Sequence, residues 1–102
     1  MKIPKSFYLN GQVVDIIFDD EQMHKEGLLG LCVSDQNKIF LTRTIIEGKK
    51  KIKLPKEKVQ QVALHEIVHA MLDSMGEHKL SKNEKFVDQM ANCFYQYLTT
   101  KV

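Results

Sequence analysis

The sequence lacks the features typical of membrane, secreted and multidomain proteins. Its 102 residues contain no apolar run near the ~18 residues that a membrane-spanning helix needs. The N-terminus MKIPKSFYLNG has no apolar signal core, so we expect a cytoplasmic protein. Internal repeats and low-complexity segments are also absent. A chain of this length has room for one core, so residues 1–102 are expected to form a single domain.

The cysteine content and the net charge argue against two further classes, disulfide-rich proteins and nucleic-acid-binding proteins. Cys32 and Cys93 are too few and too far apart in sequence for a disulfide framework. Because both have apolar neighbours, we expect two buried, reduced thiols. The formal net charge of +2 is too small for charge alone to indicate a nucleic-acid-binding protein.

The first half of the chain has the pattern of short β-strands. Asn10-Gly11 is typical of a two-residue hairpin turn, and a second hairpin is expected around the polar turn at 35–37. These four strands should form a small, mostly antiparallel sheet, which needs an apolar partner on its face to be stable. The strands are predicted at 6–9, 12–18, 28–34 and 38–43.

The second half has the pattern of helices. A helix is expected over 56–75, because Pro55 is tolerated at a helix start and Gly76 is typical of a helix end. Its later part is apolar on nearly every side, as in a buried helix. A second helix is expected to begin at Ser81, which forms an S-x-x-E capping box with Glu84. Two antiparallel helices packed on the sheet give an α+β domain.

Three polar residues interrupt the apolar surface of the first helix: His65, Glu66 and His69, in the motif HExxH. A spacing of four residues places both imidazoles on one helix face, where they can bind a single ion. Zinc suits neutral imidazole, and a catalytic zinc site has three protein ligands and one water. Glu66 is then the residue that can accept a proton from that water. Burial of these polar groups costs on the order of several kcal/mol unless a metal or hydrogen bonds compensate, so two hydrogen-bonded core histidines are the alternative.

A third metal ligand is expected on the second helix, where Asp88 and Glu84 are the alternatives. If the helices end near 75 and begin near 81, a residue level with His69 lies about six or seven positions into the second helix. That position favours Asp88. Glu84, unless it is only a helix cap, is then expected to hold a ligand or the water in place. For Asn92, one turn beyond Asp88, the alternatives are a hydrogen bond to a metal ligand and a plain helix-surface position.

The other polar features have simpler interpretations. His24 and His78 are expected in solvated loops. A cluster of lysines puts six positive charges within ten residues, and it is also expected to be a solvated loop. Direct nucleic-acid binding is not favoured, because the cluster has no aromatic residues among its charges and fits no helix-turn-helix. The cluster consists of Lys49, Lys50, Lys51, Lys53, Lys56 and Lys58.

The segments HEIVHAMLDSMG and NEKFVDQMANCFYQYL resemble the ImmA/IrrE family of small zinc metallopeptidases, in particular its short phage and mobile-element members. The segments KIPKSFYLNGQVVDIIF and GLLGLCVSDQNKIFL are similar to the N-terminal strands of those members, so the resemblance covers nearly the whole chain. In that family a carboxylate followed by x-x-A-N on the second helix supplies the third ligand, and Asp88 to Asn92 matches this pattern. Longer relatives have glutamate at this position and continue into a hydrophobic tail.

The resemblance implies hydrolysis of internal peptide bonds by one bound zinc ion. His65, His69 and Asp88 would be the ligands, and Glu66 the general base. The partner would be a protein or peptide substrate, and the family resemblance adds transcriptional repressors as a substrate class. A second hypothesis belongs to a different class: a metal-stabilised protein-binding module without catalytic activity.

Overall fold

The structure, a computed structural model, describes residues 1–102 and has the predicted α+β class. Six strands occupy mainly the first half, and the long helices follow in the second. In chain order the elements are β1 (Ser6–Leu9), β2 (Gln12–Phe18), α1 (Asp20–Glu26), β3 (Gly30–Val33), β4 (Lys38–Leu41), β5 (Thr44–Glu47), β6 (Lys50–Lys53), α2 (Lys56–Ser74), α3 (His78–Ser81) and α4 (Glu84–Thr99).

The main sheet has the strand order β1-β2-β4-β3. The pairs β1–β2 and β3–β4 are antiparallel, whereas β2 and β4 are parallel, so the predicted mostly antiparallel sheet is mixed. The parallel pair arises because the connection through α1 takes the chain past the position of β4 to the outer edge, and β4 then returns between β3 and β2 in the direction of β2. As a result β3 forms a free edge of the sheet. The predicted turn at Asn10 and Gly11 is confirmed, with φ of 49° and 80°.

A short helix in the polar stretch 19–27 was not predicted. Asp19 caps α1 by accepting a hydrogen bond from the Gln22 amide at 3.1 Å, and Gly27 ends it in the left-handed conformation. These start and stop signals are present in the sequence. The helix has only seven residues and one buried side chain, Met23, so it shows no apolar period.

Helix α2 is the central element, with an apolar core on each of two sides. Ala63 and Ala70 pack against the sheet, and Leu64, Val68 and Leu72 pack against α4. The remaining sector of α2 opens between α4 and the edge strand β3. No helix in the chain combines the length and the apolarity needed to cross a membrane. The sheet contributes Val14, Ile16, Ile39 and Leu41 to the first core, and α4 contributes Val87 and Ala91 to the second.

The second predicted helix begins later than expected. α4 starts at Glu84, and Asn83 caps it by accepting a hydrogen bond from the Phe86 amide at 3.1 Å. The predicted capping box is therefore wrong: Ser81 ends α3, and its buried side chain lies beside His69 on α2. The segment 75–83 thus runs back along α2 before α4 begins. The predicted alignment of Asp88 with His69 assumed that the second helix starts at 81, and it fails for this reason.

The lysine-rich segment is a β-hairpin rather than a loop. β5 and β6 form a separate two-stranded sheet, and Gly48 with φ of 63° lies in its turn. All six lysines are solvated as expected. His24, expected in a loop, lies on α1, with its Nε2 2.9 Å from the Thr44 carbonyl oxygen. The charged β6 has a single apolar residue, Ile52, which explains why the sequence pattern did not predict a strand.

The two cysteines differ in burial. Both are free thiols, and Cys32 on β3 is half-buried. Cys93 is exposed, so its predicted burial is wrong. It lies two positions after the buried Ala91 on α4, which turns its side chain about 200° away from the core.

Gly30 allows β3 to approach α2 closely. A Cβ at this position would lie 2.7 Å from Val62 Cγ1 and 3.0 Å from Glu66 Cγ. Real contacts of this kind are longer, so a side chain here would force the strand away from the helix. The glycine therefore holds the edge strand directly against the HExxH motif.

We expect Gly30→Ala to destabilise the fold by about 1–3 kcal/mol, because the new methyl group overpacks the contact with Val62. Urea denaturation followed by circular dichroism measures the change. Val62→Ala should recover part of the loss when combined with Gly30→Ala, since it removes the nearest atom. If the stability losses of Gly30→Ala and Val62→Ala simply added in the double variant, that result would contradict the proposed clash.

Candidate metal centre

Three potential metal ligands meet between α2 and the start of α4. The Nε2 atoms of His65 and His69 are 3.3 Å apart. Glu84 places one carboxylate oxygen 3.2 Å from His65 Nε2 and the other 3.4 Å from His69 Nε2. One ligand atom from each residue lies within 4.8 Å of the others, so the cluster can hold a metal ion. The histidine side chains are mostly buried, at 22% and 16% exposed, whereas Glu84 is open to solvent.

Hydrogen bonds at the opposite ring nitrogens orient both imidazoles. Asp88 Oδ1 lies 2.7 Å from His65 Nδ1, so the carboxylate accepts a hydrogen bond from that nitrogen. Ser81 Oγ lies 3.0 Å from His69 Nδ1 and can accept a hydrogen bond from it. Asp88 can only accept, so it assigns His65 the tautomer with hydrogen on Nδ1, and the same tautomer of His69 donates to Ser81.

This tautomer leaves a lone pair on each Nε2. The two lone pairs and the Glu84 carboxylate then face one another without a hydrogen atom among them. Such a group of acceptors repels itself unless a cation lies at its centre. The donor chemistry of the cluster thus fits a metal ion, with a hydrogen-bonded acceptor behind each imidazole, as is usual for metal-binding histidines.

Asp73 anchors the network behind His69. It accepts hydrogen bonds from Ser34 after β3 and from His78, and the Ser81 hydroxyl also favours its ionised form. Burial opposes ionisation of Asp73, but these hydrogen bonds outweigh it and lower the pKa of the carboxyl group. The carboxylate therefore ties the end of β3 to α2 and α3.

Glu66 lies beside the cluster under the edge strand. It is 8% exposed, and its carboxylate accepts a hydrogen bond from the Cys32 backbone amide. Burial raises the pKa of Glu66 to about 7, although the neighbouring His65 favours the ionised form. This carboxylate is the one buried acidic side chain in the protein, and it faces the same opening as His65.

The centre lies between two pockets along the free edge of β3. A cleft of about 990 Å³ adjoins His69 and Glu84 at the Ser34 end of the strand. A pocket of about 290 Å³ adjoins His65 and Glu66 at the Gly30 end. The Leu29 carbonyl accepts a hydrogen bond from the Thr42 amide on the sheet side. Because backbone groups alternate along an antiparallel strand, those of Gly30 and Cys32 face the free edge.

The structure brings His65, His69 and Glu66 together as predicted, but it changes the place of the carboxylates. Glu84, the alternative third ligand, completes the cluster, whereas the favoured Asp88 contacts the far side of the His65 ring. The later start of α4 causes this exchange, because it brings the first residue of α4 level with the histidines. Asn92 lines the smaller pocket with Asp88.

Sequence reasoning missed Ser81 and Asp73. Asp73 lies four residues after His69, and that spacing on a helix is the only sequence signal for it. Ser81 had been assigned to a helix cap, and nothing in the sequence indicates its contact with His69. His24 and His78 lie outside the metal cluster.

Glu84→Gln should weaken Zn²⁺ binding by more than about 100-fold, whereas Asp88→Asn should weaken it by about 10- to 100-fold. The physical reason is that Glu84 supplies a ligand atom and Asp88 only orients a ligand. Competition titration with a chromophoric chelator measures both, with the exposed Glu57→Gln as control. A larger loss in Asp88→Asn would identify Asp88 as the ligand instead.

Ser81→Ala should lower Zn²⁺ affinity about tenfold, because it removes the acceptor that holds His69 Nδ1–H. Ser74→Ala is the matched control, since the Ser74 hydroxyl bonds the Met71 carbonyl and contacts no histidine. The same titration applies, with circular dichroism to verify folding. Equal affinity in the Ser81→Ala and unsubstituted proteins would contradict an orienting role for this hydroxyl.

Comparison with known proteins finds no relative of this chain. No family model, curated protein or solved structure matches the chain.

Proposed function

We propose that the protein is a zinc-dependent endopeptidase in which His65, His69 and Glu84 hold the ion and Glu66 is the general base. The observation that carries this proposal is the convergence of two imidazole lone pairs and a carboxylate beside a buried glutamate. The same residues face the free edge of a β-strand, where an extended peptide can bind.

The choice of zinc follows from the ligands. Two imidazole nitrogens and one carboxylate oxygen are a ligand set of catalytic zinc sites that keep a fourth position open. When bound, zinc polarises a peptide carbonyl and lowers the pKa of water to near neutrality. The exposure of Glu84 leaves the centre accessible from the solvent side, as an open position requires.

Glu66 moves the protons of the reaction. Its carboxylate is fixed by the Cys32 amide and is too far round the helix to join the ligand cluster. It accepts a proton from the attacking water and donates it to the nitrogen of the leaving amine. A buried carboxylate that serves neither as a ligand nor in an ion pair is costly in a purely structural site. The presence of this buried carboxylate therefore favours a catalytic site over a metal-stabilised binding module.

The free edge of β3 supplies the substrate-binding surface. An extended peptide can pair with the backbone amide and carbonyl of Gly30 and with the Cys32 carbonyl, in the manner of an added strand, while the Cys32 amide stays bonded to Glu66. Pockets at both ends of the strand receive side chains on either side of the scissile bond. The substrate is therefore a protein or peptide that offers an extended segment, and a transcriptional repressor is the first protein substrate to test.

Glu66→Gln should lower peptide hydrolysis by about 10²- to 10⁴-fold and leave Zn²⁺ affinity within about threefold. The amide keeps the shape of the carboxylate but accepts no proton. Mass spectrometry of a digested peptide library measures hydrolysis, and chelator titration measures zinc. Glu57→Gln serves as the control, because it makes the same change on the exposed start of α2.

Full hydrolysis by Glu66→Gln, or hydrolysis that persists after complete removal of metal by a chelator, would overturn the proposed mechanism. Stoichiometric zinc binding without hydrolysis of any peptide would instead favour the binding module.

A further inference from the structure

The positive charge of the protein is concentrated at one end of the candidate site. Residues 43–58 carry seven cationic and two acidic side chains, whereas the rest of the chain carries eight cationic and eleven acidic ones. All seven cationic residues in this segment are exposed. The ion pairs of the structure all involve histidine, so none of the seven lies within 4.0 Å of a carboxylate. We call this surface the basic hairpin surface; it consists of Arg43, Lys49, Lys50, Lys51, Lys53, Lys56 and Lys58.

This arrangement has a cost for the isolated fold. Lys50, Lys51 and Lys53 place three like charges on one four-residue strand of a two-stranded sheet, which has little core of its own. Lys50 lies opposite Glu47 on β5, but their charged groups form no ion pair. Lys56 and Lys58 lie in the first turn of α2, where the helix dipole disfavours cations. These charges oppose local stability and form no ion pair in return. Such violations of local stability rules are expected at functional surfaces.

The basic hairpin surface is continuous with the candidate site through Lys58. This residue lines the smaller pocket together with His65 and Glu66. It lies seven residues before His65 on α2, or about 10 Å along the helix axis. An extended peptide advances about 3.3 Å per residue, so Lys58 is level with a substrate residue about three positions from the scissile bond.

We propose that the basic hairpin surface recognises acidic side chains of the substrate on the Gly30 side of the scissile bond. This inference rests on the proposed peptidase function and defines its substrate class. Lys58 contacts an acidic residue about three positions from the bond, and the β5–β6 hairpin contacts acidic residues farther along. A protein segment fits better than nucleic acid, because the surface joins the peptide groove and residues 43–58 contain no aromatic side chain for base stacking.

Fluorescence anisotropy with labelled hexaglutamate tests binding independently of catalysis. The protein is the zinc-loaded full chain with Glu66→Gln, so that no peptide is cleaved. Hexaglutamate should bind at least about tenfold more tightly than hexaglutamine at low salt, and this advantage should shrink as salt screens the charges. Lys50→Gln/Lys51→Gln/Lys53→Gln should remove most of the advantage, and Lys58→Gln should reduce it.

The matched control is Lys5→Gln/Lys79→Gln/Lys85→Gln, which changes the net charge equally at exposed positions outside both pockets. It should retain hexaglutamate binding. An equal loss of hexaglutamate binding in both triple variants would show that only the net charge matters, and it would overturn the proposal. Tighter, hairpin-dependent binding of a DNA duplex than of hexaglutamate would overturn it in favour of nucleic acid. Unchanged hexaglutamate binding in the hairpin variant would overturn the proposal, and the lysines would then serve only to protect the exposed strand edges.

Digestion of a peptide library by the unsubstituted protein tests the position of the acidic residues. Cleaved peptides should be enriched in Asp and Glu from about the third residue on one side of the bond only. Cleavage without this enrichment would overturn the acidic preference and leave the peptidase intact. Lysine-dependent hexaglutamate binding without any cleavage would overturn the peptidase and support the acid-binding surface.

Discussion

Burial of α2 on two sides is the constraint on which the rest of the structure depends. The sheet covers one side of the helix and α4 covers another, so only one sector of its surface is open. The polar residues of the HExxH motif lie in or beside that sector. In so small a domain the same helix supplies five of the eleven residues in the two cores and two of the three candidate metal ligands. Stability and the chemistry of the site therefore cannot vary independently.

The open sector acquires its chemistry from neighbouring elements that are distant in sequence. Asp88 on α4 and Ser81 on α3 hold the far nitrogens of the two imidazoles, and the near nitrogens consequently face each other. Gly30 lets β3 lie against the helix, so that its backbone reaches Glu66. A candidate metal site, a buried carboxylate and a free strand edge meet in one groove for this reason. Each of the three has a structural explanation alone, and their combination is what favours peptide hydrolysis.

The charge distribution divides the groove into two unlike halves. The larger cleft ends at the hydrogen-bonded Asp73 network, whereas the smaller pocket opens toward the basic hairpin surface. A peptide bound along β3 as proposed would thus meet different electrostatic surroundings at its two ends. Under the same proposal the β5–β6 hairpin would add selectivity through its exposed charges, without further packing.

Local sequence patterns are sufficient to predict the α+β class, the Asn10-Gly11 hairpin, the extent of α2 and the grouping of His65, Glu66 and His69. These features follow from local periodicity, turn residues and spacing, which act over a few neighbouring positions. The choice between Glu84 and Asp88 depends instead on the tertiary fold, because the path of residues 75–83 back along α2 fixes where α4 begins. The fold also reveals Ser81 behind His69, the parallel pairing of β2 with β4, and the continuity of the lysines with the groove. All of these depend on contacts between segments far apart in the chain, which no local pattern encodes.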